Sequence, residues 1–406
     1  MKTQNKTGIK KCAIIGAGFM GGSIARFLSK NKIPVILNDI NKKLLRRGLK
    51  FTNIEGQNPY KRLSKMTLLK IMIQMMKPVN PLIKGTLDYK DMGNVDLIIE
   101  ALPEDLELKK AVLKEISAVV GEDTIIASNT SSIPLSELAK AVSHPERLIG
   151  MHFFYPTDKR PFMEVVEYDK TSEKCVESVM NFVKKCGKQP VLLHDGPGFM
   201  VNRVLSLYIR EVLYYCVKDG YRIDKIDDAL VEFGMPIGPG ALLDLVGYDL
   251  AYKIASNVIE RLSDNKDRVL DFMRKLLTAR RQGIDISIYK YKGRQKHPNN
   301  NIYEIAGITP SKEIKKTDMI DRIIYLIINE TCKCMEEGIV MNEKDADKAI
   351  KSGMGFPFGG PMAYARSIGI KNIVCRLDEY KNRYGDRYKC CDYLRDMAYK
   401  KEASLG

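Results

Sequence analysis

The order of apolar patterns predicts a parallel α/β domain followed by two all-α domains in this chain of 406 residues. Three observations carry that expectation. From residue 11 to about 190, short apolar runs alternate with helical patterns. After Asp195-Gly196-Pro197-Gly198 the helical patterns continue without strands, and a helical fingerprint recurs about 119 residues after its first appearance. The expected boundaries are 1–194 for the α/β domain, 195–290 for the first helical domain, 291–316 for a linker and 317–406 for the second helical copy.

In order, Cys12–Ile15, Val35–Leu37, Leu97–Glu100, Thr124–Ala127 and Leu148–Phe153 read as strands of a parallel sheet. Between the first two, Met20, Ile24, Phe27 and Leu28 recur at helical spacing and give a crossover helix one apolar face. Pro103, Glu104 and Asp105 suit a helix start, because proline tolerates the first turn and acids favour the positive dipole end. Farther on, Val201, Leu205, Tyr208, Val212 and Cys216 mark a long amphipathic helix. Arg203, Glu211, Gly234 and Met235 have counterparts in Arg322, Glu330, Gly353 and Met354, which reads as an internal duplication. Tyr289 to Lys316, rich in Lys, Asn, Gly and Pro, has the composition of a connecting segment.

Composition narrows the function classes. With 45% hydrophobic and 29% charged residues the chain matches a packed globular protein, where a disordered one would be poorer in apolar residues. No apolar run approaches the ~18 residues of a membrane span, and the stretch Ile320 to Ile328 is broken by Asp321 and Arg322. The polar Met1 to Lys10 leads straight into the first strand, an opening unlike a signal or transit peptide. Nine cysteines without CxxC or Cys/His spacing predict no metal site and fit reduced thiols in a cytoplasm. The net charge of +16 favours anionic partners, but the basic residues are interleaved with acids and lack stacking aromatics, which argues against nucleic acid.

Gly16-Ala17-Gly18-Phe19-Met20-Gly21 follows the first strand and opens the first helix, as in a Rossmann dinucleotide site. There the glycines permit a tight turn, close approach of a pyrophosphate and close helix–sheet packing. Asp39 closes the second strand 23 residues after Gly16, where a carboxylate binds both hydroxyls of an adenosine ribose and favours NAD over NADP. Lys42 and Lys43 pull the other way, since cations at this edge suit a 2′-phosphate. A glycine turn with a solvated Asp is the bland alternative.

His152 ends an apolar strand in Met151-His152-Phe153-Phe154-Tyr155-Pro156, where parallel sheets open their ligand crevice. It is the leading acid/base candidate, with Glu164, twelve residues on, as the group that fixes its tautomer. By spacing alone a structural histidine fits as well. His144, His194 and His297 read as surface residues in polar turns. Ser128-Asn129-Thr130-Ser131-Ser132 ends another strand ahead of a helix with Pro134 in its first turn, and Ser132 reads as a cap. Asn202 stands near the start of the first long helix of the second domain, where a structural polar contact is equally open.

Taken together, these motifs resemble the L-3-hydroxyacyl-CoA dehydrogenase family, with Ile99-Glu100-Ala101, Ser128-Asn129-Thr130-Ser131, His152-Phe153-Phe154, Pro197-Gly198-Phe199 and Val201-Asn202-Arg203 in order along essentially the whole chain. The duplicated helical part resembles the dehydrogenase half of multifunctional fatty-acid-oxidation proteins. The resemblance implies two helical domains like the C-terminal domain of 6-phosphogluconate dehydrogenase, and NAD as cofactor. It makes His152 the general base, Glu164 its orienting acid, and Ser131 and Asn202 the groups that hydrogen-bond the reacting oxygen and neighbouring acyl group. It also assigns Gly16, Gly18, Phe19, Met20, Gly21, Asp39, Glu104, Lys109 and Asn129 to the cofactor. The basic stretch Lys42 to Lys77 would suit the phosphates of coenzyme A, with a solvated helix face as the plainer reading.

Two departures stand out. Tyr155 replaces the family's usual Asn after His-Phe-Phe, and Asp321 replaces Asn202 in the repeat, which points to a structural role for the second copy. The resemblance further implies that this copy packs on the first in place of a dimer partner, giving a monomer with a pseudo-dimeric repeat, or else a homodimer, with hydratase or thiolase as partner enzymes. The expected activity is NAD-dependent, reversible oxidation of L-3-hydroxyacyl-CoA to 3-oxoacyl-CoA. Two alternatives are a dehydrogenase of another 3-hydroxy acid of the gulonate type, separated by protection with free coenzyme A, and a non-catalytic NAD-binding subunit, which would bind cofactor without turnover.

Overall fold

The computed structural model describes residues 8–54, 65–217, 220–262, 268–292, 295–310 and 316–399. It divides into two compact units, Met1–Gly196 and Pro197–Gly406.

The first unit contains, in order, β1 (Cys12–Ile15), α1 (Phe19–Lys30), β2 (Val35–Asn38), α2 (Lys42–Phe51), α3 (Lys65–Met76), β3 (Ile83–Thr86), β4 (Leu97–Glu100), α4 (Leu106–Val119), β5 (Ile125–Ser128), α5 (Leu135–Ala139), β6 (Leu148–Phe153), β7 (Phe162–Glu167), α6 (Glu173–Lys185) and β8 (Gln189–His194). One eight-stranded sheet has the order β3-β2-β1-β4-β5-β6-β7-β8. The central strands are buried along their whole length, which explains why they read as continuous apolar runs rather than as alternating ones. On one side Ile14, Leu97, Ile99, Ala127 and Met151 join Ile24 and Leu28 of α1 and Val179 and Phe182 of α6 in a single core. Each of these side chains larger than alanine contributes roughly 1.5–3 kcal/mol by leaving water.

The sequence reading of a wholly parallel sheet needs one correction. β7 runs antiparallel to β6, with His152 opposite Glu164, and β8 then runs parallel to β7. The reason is the connection: residues 154–161 alone join β6 to β7, too few for a parallel crossover, which takes a dozen or more. Two smaller corrections concern helix starts. α4 begins at Leu106 with Asp105 as its cap, accepting from Leu108 N at 3.0 Å, so Pro103 and Glu104 lie outside it. Ser132 does not cap α5; Leu135 N and Ser136 N donate instead to Asp195. The basic stretch Lys42 to Lys77 falls partly outside the described residues. Within them, α2 exposes Lys42, Lys43, Arg46, Arg47 and Lys50.

The second unit comprises α7 (Val201–Val217), α8 (Ile223–Phe233), α9 (Pro239–Val246), α10 (Tyr248–Leu262), α11 (Arg268–Arg281), β9 (Tyr289–Lys292), β10 (Gln295–Pro298), α12 (Asn301–Ala306), α13 (Lys316–Glu336), α14 (Glu343–Met354), α15 (Pro361–Ile368), α16 (Ile370–Tyr384) and α17 (Asp392–Tyr399). No helix among the described residues is long and apolar enough to cross a membrane. The segment expected as a plain linker holds a hairpin, β9 with β10, and the short α12. Asp244 accepts from Ile288 N and Tyr289 N, and the Tyr289 hydroxyl donates to Asp227, so this connection is tied to the first copy.

The duplication is visible in the hydrogen bonds. Asp227 accepts from Gly240 N and Ala241 N at the start of α9, and Asp347 accepts from Met362 N and Ala363 N at the start of α15. Gly238 and Gly360 precede the prolines that open α9 and α15, and a Cβ on either would run into its capping aspartate. The match of Gly234 to Gly353 slips in three dimensions. Gly234 ends α8 at φ +118°, a role taken in the second copy by Gly355 at φ +77°, while Gly353 lies inside α14 against Val201.

The two copies pack through reciprocal ion pairs. Arg203 of α7 donates to Glu330 of α13 at 2.5 Å and also pairs with Glu337. Arg322 of α13 reaches back to Glu211 of α7 at 3.5 Å, between the rings of Tyr215 and Tyr384. Each copy's arginine thus meets the other copy's glutamate, the pattern of a two-fold interface built into one chain.

Candidate active site

The glycine loop turns between β1 and α1. Gly16 has φ +97°, and a Cβ there would lie 2.7 Å from Ala101 O, while one on Gly21 would lie 1.9 Å from Gly16 O. Both positions therefore need glycine for close packing. Gly18, the N-cap of α1, differs: it is exposed, and a Cβ there would meet nothing within 4 Å. No side chain caps α1 and no acid occupies its first turn, so its own residues leave the positive end of the helix uncompensated. Asp39 follows β2 directly and accepts from Ala17 N at 2.9 Å and Ile40 N at 2.8 Å, which ties this carboxylate to the loop. Two obligatory glycines, an open one at the helix end and an anchored carboxylate fit a bound dinucleotide.

Next to this loop lies a buried ion network. Glu100 ends β4, fully buried, and accepts from Lys109 Nζ at 2.6 Å, Ser128 Oγ at 2.5 Å and Leu102 N at 2.6 Å. Lys109 stands 3.5 Å from Glu104, whose Oε1 accepts from Thr130 Oγ1, Ser131 N, Ser132 N and Ser132 Oγ at 2.7–3.0 Å, with Ser131 Oγ at 3.4 Å. Burial alone would raise the Glu104 carboxyl, but the Lys109 ammonium and these donors outweigh it and hold it below its ordinary value. Lys109 is thus buried between two carboxylates, and Glu104 shapes the 130–132 turn that presents half-buried Ser131. Sequence reading left Glu100 without a role. Its signal is a carboxylate closing an otherwise apolar strand, with a lysine nine residues later on the next helix.

His152 and Glu164 meet across the antiparallel pair, Nδ1 to Oε2 at 2.6 Å, with His152 7% and Glu164 0% exposed. Opposite an ionised carboxylate, which only accepts, Nδ1 is the donor of this bond. Asn129 Oδ1 accepts from Phe153 N at 2.9 Å, locking the end of β5 to the residue after His152. Phe154 packs on the imidazole at 4.5 Å between ring centroids. The first unit therefore brings together Gly16, Gly18, Phe19, Met20, Gly21 and Asp39 at one strand end, Glu104 and Lys109 in the buried network, and Asn129, Ser131, His152 and Glu164 on β5 to β7. Asn202 belongs to the second unit, buried in the first turn of α7.

Comparison with known proteins matches both units. The family model described as "3-hydroxyacyl-CoA dehydrogenase, NAD binding domain" matches residues 11–196, and the one described as its C-terminal domain matches 198–289 and again 319–405. The first unit is thus the family's NAD-binding domain. The chain is 36% identical over 398 residues to the fatty acid oxidation complex subunit alpha of Shewanella loihica, covering 96% of this chain and 55% of that one. The corresponding protein of Vibrio campbellii is 33% identical over 399 residues, with 97% and 55% covered. The chain accordingly spans about half the length of these curated relatives. The crystal structure of (S)-3-hydroxybutyryl-CoA dehydrogenase from Ralstonia eutropha is 30% identical with a TM-score of 0.59, covering 70% of this chain and 100% of that one. The 3-hydroxybutyryl-CoA dehydrogenase from Escherichia coli has the same fold, with a TM-score of 0.76, 23% identity and 98% and 100% covered. Matched along both units, the chain belongs to the 3-hydroxyacyl-CoA dehydrogenase family.

Proposed function

We propose that the protein oxidises L-3-hydroxyacyl-CoA to 3-oxoacyl-CoA, reversibly and with NAD, in fatty-acid oxidation. The observation that carries this reading is the His152–Glu164 pair near the end of β6, in the same sheet whose β1 leads into the glycine loop. With Nδ1 bonded to Glu164, the imidazole presents Nε2 as a base for the proton of the 3-hydroxyl, and the adjacent carboxylate stabilises the imidazolium that forms. Bound NAD supplies the acceptor for the hydride from C3. Ser131, presented by the Glu104-anchored turn, hydrogen-bonds the reacting oxygen; Asn202 takes its role toward the acyl group from the resemblance alone. Asp39 holds the adenosine ribose, and the open first turn of α1 receives the pyrophosphate.

The reciprocal Arg203–Glu330 and Arg322–Glu211 pairs support a further part of the reading: the second helical copy serves as an internal partner for the first, so the chain works as a monomer. Enzymes that form the 3-hydroxyacyl-CoA and cleave the 3-oxoacyl-CoA are its metabolic neighbours. The test is NADH formation from L-3-hydroxybutyryl-CoA and a longer homologue, with NADP as the parallel cofactor. Turnover with NAD on either substrate supports the assignment; none at either chain length, with NAD binding intact, refutes it.

A further inference from the structure

The turn after His152 carries a side chain that this chemistry does not use. Tyr155 packs against Phe19 with ring centroids 4.5 Å apart and planes at 52°. Phe19 is the first residue of α1, directly after Gly18, and Phe51 meets its other flank edge-on at 6.3 Å. The turn bearing Tyr155 is fastened along the same helix. Thr157 Oγ1 donates to Ser23 O at 3.0 Å and lies 2.6 Å from Ser23 Oγ. Asp158 accepts from Arg26 Nε at 2.8 Å and Lys30 Nζ at 2.9 Å. From the sheet side, Lys188 Nζ donates to Thr157 O and Arg160 O, both at 2.8 Å, over the face of Phe27 at 4.3 Å.

The cap of α1 explains why such a fastening matters. Its N-cap is a glycine with no side chain to fix the first turn, so whatever restrains Phe19 also restrains the neighbouring amides. The Tyr155 hydroxyl oxygen is buried and has no protein partner among the described residues. Burial, then the nearby Asp158 carboxylate, push the phenol up to about 12, so it stays neutral. Its contribution to this contact is therefore the ring. We propose that Tyr155 is a positioning residue for the dinucleotide, its ring bracing Phe19 and so fixing the direction of the first-turn amides of α1 that face the pyrophosphate. Preorganisation of this kind raises affinity by lowering the ordering cost of binding. The inference rests on NAD binding at the glycine loop and is independent of the acyl-CoA substrate.

The experiment is a calorimetric titration of NADH into the full chain and four variants: Tyr155→Phe, Tyr155→Leu, Phe19→Ala and the Tyr155→Leu/Phe19→Ala double variant. Tyr155→Leu is expected to weaken NADH binding roughly tenfold, whereas Tyr155→Phe stays within about twofold of wild type, since removing a buried unpaired hydroxyl costs little. The double variant should bind no more weakly than Phe19→Ala alone, because both changes remove one contact. Wild-type affinity in Tyr155→Leu, an equal loss in Tyr155→Phe, or multiplying losses in the double variant would each overturn the proposal. Because the titrations read cofactor binding alone, a failure of acyl-CoA turnover would change neither their outcome nor its meaning.

Discussion

Nδ1 of His152 lies 2.6 Å from Oε2 of Glu164 because the two residues oppose each other across β6 and β7. The pairing comes from strand register, so the imidazole's orientation is set by the sheet itself rather than by a mobile loop. Replacing Glu164 by Gln keeps the shape but removes the charge proposed to stabilise the imidazolium. We expect kcat to fall by roughly 10²-fold with NADH affinity retained. Steady-state kinetics beside a direct NADH titration would check this, and unchanged kcat would count against the orienting role.

In the proposed function Asp39 sets the choice between NAD and NADP. It is fixed by Ala17 N and Ile40 N beside exposed Lys42 and Lys43. Asp39→Ala should raise KM for NAD by at least about tenfold and narrow the preference over NADP, because the lost ribose contact also removes repulsion of a 2′-phosphate. A cofactor ratio unmoved by the substitution would show that recognition lies elsewhere.

Glu104 links stability to pH. Its carboxyl is held below the ordinary value of 4.5, since Lys109 and the 130–132 donors outweigh the opposing effect of burial. A depressed folded pKa means the stabilisation is present above the unfolded pKa and is lost as pH falls through the folded one. Glu104→Gln should therefore destabilise the protein by ~1–3 kcal/mol at neutral pH, and the gap should narrow as pH falls below the ordinary carboxyl value and through the lowered folded one. Denaturant melts across pH would test it; a gap independent of pH would contradict the account.

The helical pseudo-dimer makes its own prediction. Arg203 is buried between Glu330 and Glu337, so removing Glu330 takes away one of its two carboxylates. Glu330→Ala should cost about 1–3 kcal/mol in a urea melt, and light scattering should find a monomer. An obligate dimer would argue that the internal copy does not stand in for a partner.

Much of this was legible in the sequence, for identifiable reasons. The central strands read correctly because burial on both faces makes them continuous apolar runs, and the glycine loop read correctly because backbone packing at Gly16 and Gly21 admits no side chain. β3 escaped because it is half-exposed, with the pattern buried, exposed, exposed, buried. The direction of β7 depends on loop length rather than on apolar pattern. The Glu100–Lys109–Glu104 network joins β4, a loop and α4, a proximity that one-dimensional spacing does not encode. The hairpin at 289–298 hid behind a linker-like composition because its strands are polar and largely exposed.

The proposed role of His152 as the base of an NAD-linked oxidation is tested most directly by comparing wild type with His152→Ala in NADH formation from L-3-hydroxybutyryl-CoA, with NADH binding measured on both. Binding within about twofold and a rate at least ~10²-fold lower in the variant are expected. Equal rates in the two proteins would contradict that role.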